Sequence, residues 1–170
     1  MKLIDRMVAD SRTVALHHTA GLSTPQQALM ALFSLAGLVD KQHGYPYKKN
    51  AQEIVRNRYE ILYKEIGIPC PENPYCAHYY TTVDIPALAR QRYGEEFAAY
   101  LVTAYEPIDF VWRLAKEKSI VLLDGGGFDT PNMSVRVSLA NLSNEDYAAI
   151  GQGISSLLAD YYKQWHARGT

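Results

Sequence analysis

Between Pro25 and Val39 the chain runs PQQALMALFSLAGLV, and past the two glutamines only Ser34 is polar. A helix of that composition is apolar around most of its circumference and is stable only where it is buried on most sides. Thr24 is placed to cap it, Pro25 suits its first turn, and Gln27 would complete a capping box. A helix is therefore expected from Pro25 to Val39. A chain of 170 residues seldom surrounds one helix so completely, so a covering surface outside this chain is expected. Just upstream, Leu3, Ile4, Met7 and Val8 fall at helical spacing, like the tail of a helix, as though the chain began in the middle of a protein.

The remaining composition is that of an ordinary globular domain. Seventeen Lys and Arg against 18 Asp and Glu leave a formal net charge of −1, which argues against nucleic acid as a partner, because backbone-phosphate binding needs a basic excess on one face. No apolar run reaches the roughly 20 residues that span a bilayer, and MKLIDRMVADSR carries charges where a signal peptide needs an apolar stretch. No membrane association is expected, and the expected location is cytoplasmic. Cys70 and Cys76 in CPENPYC have neither redox-pair nor common zinc spacing, so free thiols are expected. The 13 tyrosines suit half-wet packing surfaces, subunit interfaces or core edges.

Downstream, the spacing predicts a second helix over Asn50 to Ile66, with Arg56, Arg58 and Lys64 as a solvated face and Gly67 and Pro69 as its stop. HYYTTVDI, from His78 to Ile85, reads as a strand. A short helix follows to Gly94, and Pro107 should split the segment from Glu95 to Lys118 into two helices. Ile120 to Asp124 reads as a short apolar strand. In SVRVSL, Val135, Val137 and Leu139 face one way and Ser134, Arg136 and Ser138 the other. Ser143 and Asp146 form a capping box before a final helix from Asn144 to His166, whose inner stripe is Tyr147, Ile150, Ile154, Leu157, Leu158, Tyr161 and Trp165. The fold class is α+β, with the strand pair antiparallel and its apolar face under the last helix.

Arg136 is the first candidate for chemistry, since a guanidinium in the middle of a polar strand face offers a fork that matches a carboxylate or phosphate; an exposed arginine paired with an acid is the alternative. Gly125, Gly126 and Gly127 form either a permissive turn or a close-approach anion loop. His17 and His18 are adjacent and diverge on any regular element, and His43, His78 and His166 are scattered, so no metal site is expected. Ser23 and Thr24 precede a helix N-terminus, where orphan amides attract anions, though capping accounts for both.

Three segments in order, GLSTPQQ, FVWRLAKEKSIVLLDGGGF and SVRVSLANLS, resemble the C-terminal part of fold-type I pyridoxal-phosphate enzymes of the class I/II aminotransferase family. IVLLDGGGFDTPNMSVRVSLANL and HHTAGLSTPQQ look, more narrowly, like the aspartate 4-decarboxylases of that group, which also transaminate aspartate. The resemblance covers essentially the whole chain. It implies a small C-terminal domain with a short antiparallel sheet packed with helices over residues 41–170, preceded in 1–40 by the end of the large domain and the interdomain helix. It implies L-aspartate as substrate, pyridoxal 5'-phosphate as cofactor, a missing N-terminal large domain as partner and a homo-oligomer. Arg136 takes the role of the strand arginine that binds the substrate α-carboxylate, and Ser23 and Thr24 fall on a loop near the cofactor. The chain departs from the pattern in that no lysine here has the Ser-Lys context of the catalytic lysine, so none is assigned; the pyridine-nitrogen aspartate and the main phosphate cup are likewise expected upstream, and the segment alone is expected to be inactive. An ordinary aminotransferase and a non-catalytic aminotransferase-like sensing domain are the competing readings.

Overall fold

The computed structural model describes residues 3–9, 23–126 and 130–167; His17, His18 and Gly127 fall outside them. It divides into two compact units, Met1–Lys49 and Asn50–Thr170. The first holds α1 (3–9) and α2 (Thr24–Gln42). α2 starts one residue earlier than its pattern predicts and uses a different cap. Ser23, not Thr24, is the N-cap, and Gln26, not Gln27, closes the box: the Ser23 backbone N–H donates to Gln26 Oε1 at 2.9 Å and its hydroxyl donates to the same oxygen at 3.0 Å. The helix runs three residues past Val39 and then turns through Gly44 and Tyr45, both at positive φ. Among the described residues α2 buries none of its side chains, and Leu32 and Phe33 are 62% and 69% exposed.

α3 (Pro46–Ile66) begins four residues before its expected start. Pro46 needs no N–H donor in the first turn, and the Asp40 carboxylate accepts from the backbone N–H groups of Tyr47 and Lys48 at 2.8 and 3.2 Å.

In the second unit the order is the rest of α3, β1 (Tyr80–Asp84), α4 (Ile85–Tyr93), α5 (Glu95–Ala104), α6 (Asp109–Lys118), β2 (Leu123–Asp124), β3 (Ser134–Ser138) and α7 (Asn144–His166). This is an α+β arrangement. The break between α5 and α6 falls around Pro107, as its missing donor and its ring demand. The strands form an antiparallel sheet in the order β1-β3-β2, with Tyr80 opposite Ser138, Thr82 opposite Arg136, and Leu123 also opposite Arg136. β2 is shorter than the apolar run it comes from: Val121 is 84% exposed, and only Leu123 and Asp124 reach ladder positions.

One core lies under the sheet. Val83, Val135, Val137 and Leu139 join Leu62 and Ile66 of α3, Leu88 of α4, Phe97 and Leu101 of α5, Phe110 and Leu114 of α6, and Tyr147, Ile154, Leu157, Leu158 and Tyr161 of α7. α7 carries the capping box read from the sequence: the Ser143 hydroxyl accepts from the Asp146 N–H at 3.2 Å, and the Asp146 carboxylate accepts from the Ser143 N–H at 3.0 Å. Gly151 lets α7 approach α3, since a Cβ there would stand 2.7 Å from the Leu62 carbonyl oxygen. Among the described residues no helix is long and apolar enough to cross a membrane.

Candidate functional site

β3 is the middle strand, so its outward residues are flanked on both sides, and directly opposed residues of an antiparallel pair share a face. Arg136 accordingly stands between Thr82 of β1 and Leu123 of β2 on the face turned away from the core. That face also carries Tyr80, Asp84, Ser134 and Ser138. Thr81, one residue along β1, points the other way, its Oγ1 lying 2.7 Å from the buried Tyr63 hydroxyl. The alternation of SVRVSL therefore places Arg136 as the strand pattern predicts. Its guanidinium carbon lies 4.2 Å from the centroid of the Tyr80 ring. Thr82, Arg136 and Ser138 are half-buried, and Tyr80 and Leu123 are exposed.

Ser134 departs from the expected polar outer row, being fully buried. Its backbone carbonyl accepts from the Gly125 N–H at 2.9 Å, and its hydroxyl lies 3.0 Å from Thr130 Oγ1. This close approach also accounts for Gly125: a Cβ there would meet Ser134 Oγ at 1.9 Å. Gly126 follows with its N–H on Asp124 Oδ2 at 3.1 Å. Packing against β3 thus accounts for the first glycine of the loop.

Two residues that the sequence gives only as helix-face positions, Arg58 and Tyr147, hold the end of β3 in place. Arg58, expected on a solvated face of α3, is half-buried and donates from Nη1 to the carbonyls of Leu139 and Ala140, both at 3.0 Å. The sequence places it among basic helix residues and gives no sign of the strand end that folds over it; Arg56 does stay exposed, 3.6 Å from Glu60. From α7, the Tyr147 hydroxyl donates to the Ser138 carbonyl at 2.9 Å and accepts from the N–H groups of Asn141 and Leu142 at 3.3 Å. The backbone from Ser138 to Leu142 is therefore anchored to two helices, which limits how far the strand bearing Arg136 can shift.

The other candidates do not gather around Arg136. Ser23 and Thr24 stand at the N-terminus of α2 in the first unit. His43 bonds the Val39 carbonyl through Nδ1 at 2.8 Å, His78 packs on Tyr59 with ring centroids 4.6 Å apart, and His166 packs on Tyr162. A polar cleft of about 500 Å³ between α3 and the 70–78 loop is lined by Tyr59, Glu60, Cys70 and His78, among others. Burial and the Glu60 carboxylate push the Cys70 thiol above its ordinary value, which keeps it protonated and weakly nucleophilic. Both cysteines are free, and among the described residues no three His, Cys, Asp or Glu side chains are grouped to hold a metal ion.

The fold and site thus define a helical α+β unit whose small antiparallel sheet presents one central arginine on its outer face. No family model matches the chain. Among curated proteins, one from Pseudomonas sp, named bifunctional aspartate aminotransferase and L-aspartate beta-decarboxylase, is 46% identical over 169 residues, which is 99% of this chain and 32% of that protein. At that identity over nearly its whole length, the chain is a homologue of this relative, matching a C-terminal part of it. It spans about a third of the relative's length.

Proposed function

We propose that this chain is the C-terminal part of a pyridoxal-phosphate-dependent enzyme that removes the β-carboxylate of L-aspartate as CO2 to give L-alanine, with transamination of aspartate as a second activity. The observation that carries the reading is Arg136 on the middle strand, outside the core, with its strand end pinned by Arg58 and Tyr147. The name of the Pseudomonas relative supports the same pair of reactions. In this reading Arg136 grips the α-carboxylate through its planar two-pronged edge. A dicarboxylate held by one carboxylate presents the other in a fixed place, and that positioning is the chain's contribution to the reaction.

Pyridoxal phosphate, when bound, supplies the electron sink. The residues of this chain fit the substrate side of such a site and not the attachment side. The sheet face around Arg136 carries Tyr80, Thr82, Asp84, Leu123, Ser134 and Ser138 and no lysine. Lys118 is engaged with Asp160 at 3.3 Å, and Lys116 lies over the Trp112 ring. The attaching lysine is therefore assigned to a large domain outside this chain. Residues 1–40 are assigned to the end of that domain and the helix leading from it, a role supported by the apolar, exposed surface of α2. Ser23 and Thr24 are assigned a place near the cofactor; the first turn of α2 holds no acidic residue that would repel an anion. The full protein is taken to be a cytoplasmic homo-oligomer.

The test is to supply the full-length protein with L-aspartate and measure CO2, alanine and keto acid. Alanine and CO2 in equal amounts are expected. Keto acid without CO2 would reduce the reading to an ordinary aminotransferase, and no turnover of aspartate would overturn it. The 170-residue chain alone is expected to be inactive and to form no stoichiometric visible band with pyridoxal phosphate that changing a single lysine abolishes.

A further inference from the structure

The proposed function gives Arg136 a task and leaves open what holds its side chain in position to perform it. An arginine reaches its fork through four rotatable bonds, so placing its Cα on a rigid strand does not by itself place the guanidinium. Its neighbours on the two flanking strands do not fix it equally. Leu123 offers an aliphatic side chain that is 58% exposed, and Thr82 a short one. Tyr80 is different: its ring lies against the guanidinium, 4.2 Å from ring centroid to guanidinium carbon.

The register explains the contact. Tyr80 is paired with Ser138, two residues beyond Arg136 on the same face, so its ring reaches diagonally across the ladder to the arginine. A ring placed over the guanidinium carbon attracts the cation through its negative π face. The ring itself is held from the side by Tyr79, whose centroid is 5.0 Å away in an edge-on arrangement. With Tyr80 45% exposed, little of the core depends on this side chain.

We propose that Tyr80 is a positioning residue for Arg136: its ring sets the orientation of the guanidinium and thereby how tightly the enzyme holds the carboxylate of its substrate. The inference rests on the functional reading above, in which that carboxylate is the α-carboxylate of aspartate. The ring and not the hydroxyl carries the effect, because the contact is to the ring.

The test is a double-mutant cycle in the full-length enzyme, with Tyr80→Ala, Tyr80→Phe, Arg136→Ala and the Tyr80→Ala/Arg136→Ala pair. Cation–π contacts span about 0.5 to 2 kcal/mol, and about 1.4 kcal/mol is a factor of ten. Tyr80→Ala should therefore raise KM for aspartate roughly 2- to 30-fold with kcat within about twofold. Tyr80→Phe should stay within about twofold of the parent in both, and Tyr80→Ala should cost nothing further in the Arg136→Ala background. A readout independent of turnover is the NMR spectrum of the 170-residue chain. There the Arg136 side-chain protons, shielded by the ring, should move downfield in Tyr80→Ala and stay in place in Tyr80→Phe. Equal losses in the Ala and Phe variants, a loss that persists without Arg136, or unshifted Arg136 protons in Tyr80→Ala would each overturn the inference. If Arg136→Ala itself left aspartate turnover intact, the functional reading would fail instead, while the NMR comparison would still decide whether Tyr80 orients the arginine.

Discussion

α2 and α7 are both built largely from apolar residues, yet one buries nothing among the described residues while the other buries eight residues, six of them in the hydrophobic core. The difference lies in how the apolar positions are distributed. In α7 they repeat at i, i+3, i+4 and i+7 from Tyr147 to Leu158, leaving polar positions such as Glu145, Gln152 and Ser156 on the other side, so one face is enough and this unit provides it. In α2 the positions from Ala28 to Val39 run nearly all the way round, so no single face would satisfy them. Apolarity therefore shows that a helix needs cover, and periodicity shows whether one neighbouring layer suffices.

The contrast is broken most severely by placing the same charge on each helix. Leu157→Glu puts an unpaired carboxylate where Leu157 has no exposure, and it should abolish cooperative unfolding of the second unit, seen as loss of the thermal transition in near-UV circular dichroism. Phe33→Glu on α2 should leave that transition within about 0.5 kcal/mol and reduce self-association of the chain in sedimentation velocity, because it interrupts an exposed apolar surface. If Phe33→Glu also unfolded the second unit, the distinction between the helices would be lost.

A pair of glycine variants sharpens the same point. Gly151→Val brings a side chain against the Leu62 carbonyl and the Glu65 Cβ, and should cost about 2 to 3 kcal/mol by denaturant titration. Gly37→Ala meets nothing within 4 Å and should stabilise α2 by about 0.5 to 1 kcal/mol in helical content against temperature.

A smaller effect comes from the α7 cap. Ser143→Ala removes the hydroxyl that accepts from the Asp146 N–H and should cost about 1 kcal/mol. The Ser143 side chain and then its backbone N–H hold the Asp146 carboxyl below its ordinary value of 3.8. A carboxyl depressed on folding stabilises the fold above its ordinary value and loses that contribution as the pH falls through the depressed one. The stability gap between the parent and Asp146→Asn should accordingly be constant near neutrality and close only below about pH 4. A gap that closed above pH 6 would contradict the cap geometry.

How much of this was legible beforehand follows from how local each signal is. The split at Pro107, the capping box at Ser143 and the stripe of α7 depend on neighbours within a turn or two, and each appears where its residues predict. The cap of α2 was misplaced by one residue because Ser23 and Thr24 are both capping types and both precede a glutamine at the right spacing. The pairing of β1 with β3 joins residues 50 or more positions apart, and no alternation within HYYTTVDI says which strand will lie beside it. For that reason Arg136 was found from its own strand, whereas Tyr80 and Arg58, which reach it or its strand from other elements, were not. Burial of Ser134 was hidden for the same reason, since its partners Thr130 and Gly125 come from the adjoining loop.

The central claim is that Arg136 is the carboxylate grip of an aspartate enzyme, and Arg136→Lys in the full-length protein tests it most directly. Lysine keeps the charge and loses the planar fork. Hydrogen bonds to charged groups contribute about 1.5 to 3 kcal/mol, so kcat/KM for aspartate should fall roughly 10- to 100-fold while the protein retains its cofactor, with Arg136→Ala falling further. Undiminished turnover of aspartate by Arg136→Lys and Arg136→Ala, or loss of the cofactor in place of loss of substrate affinity, would contradict it.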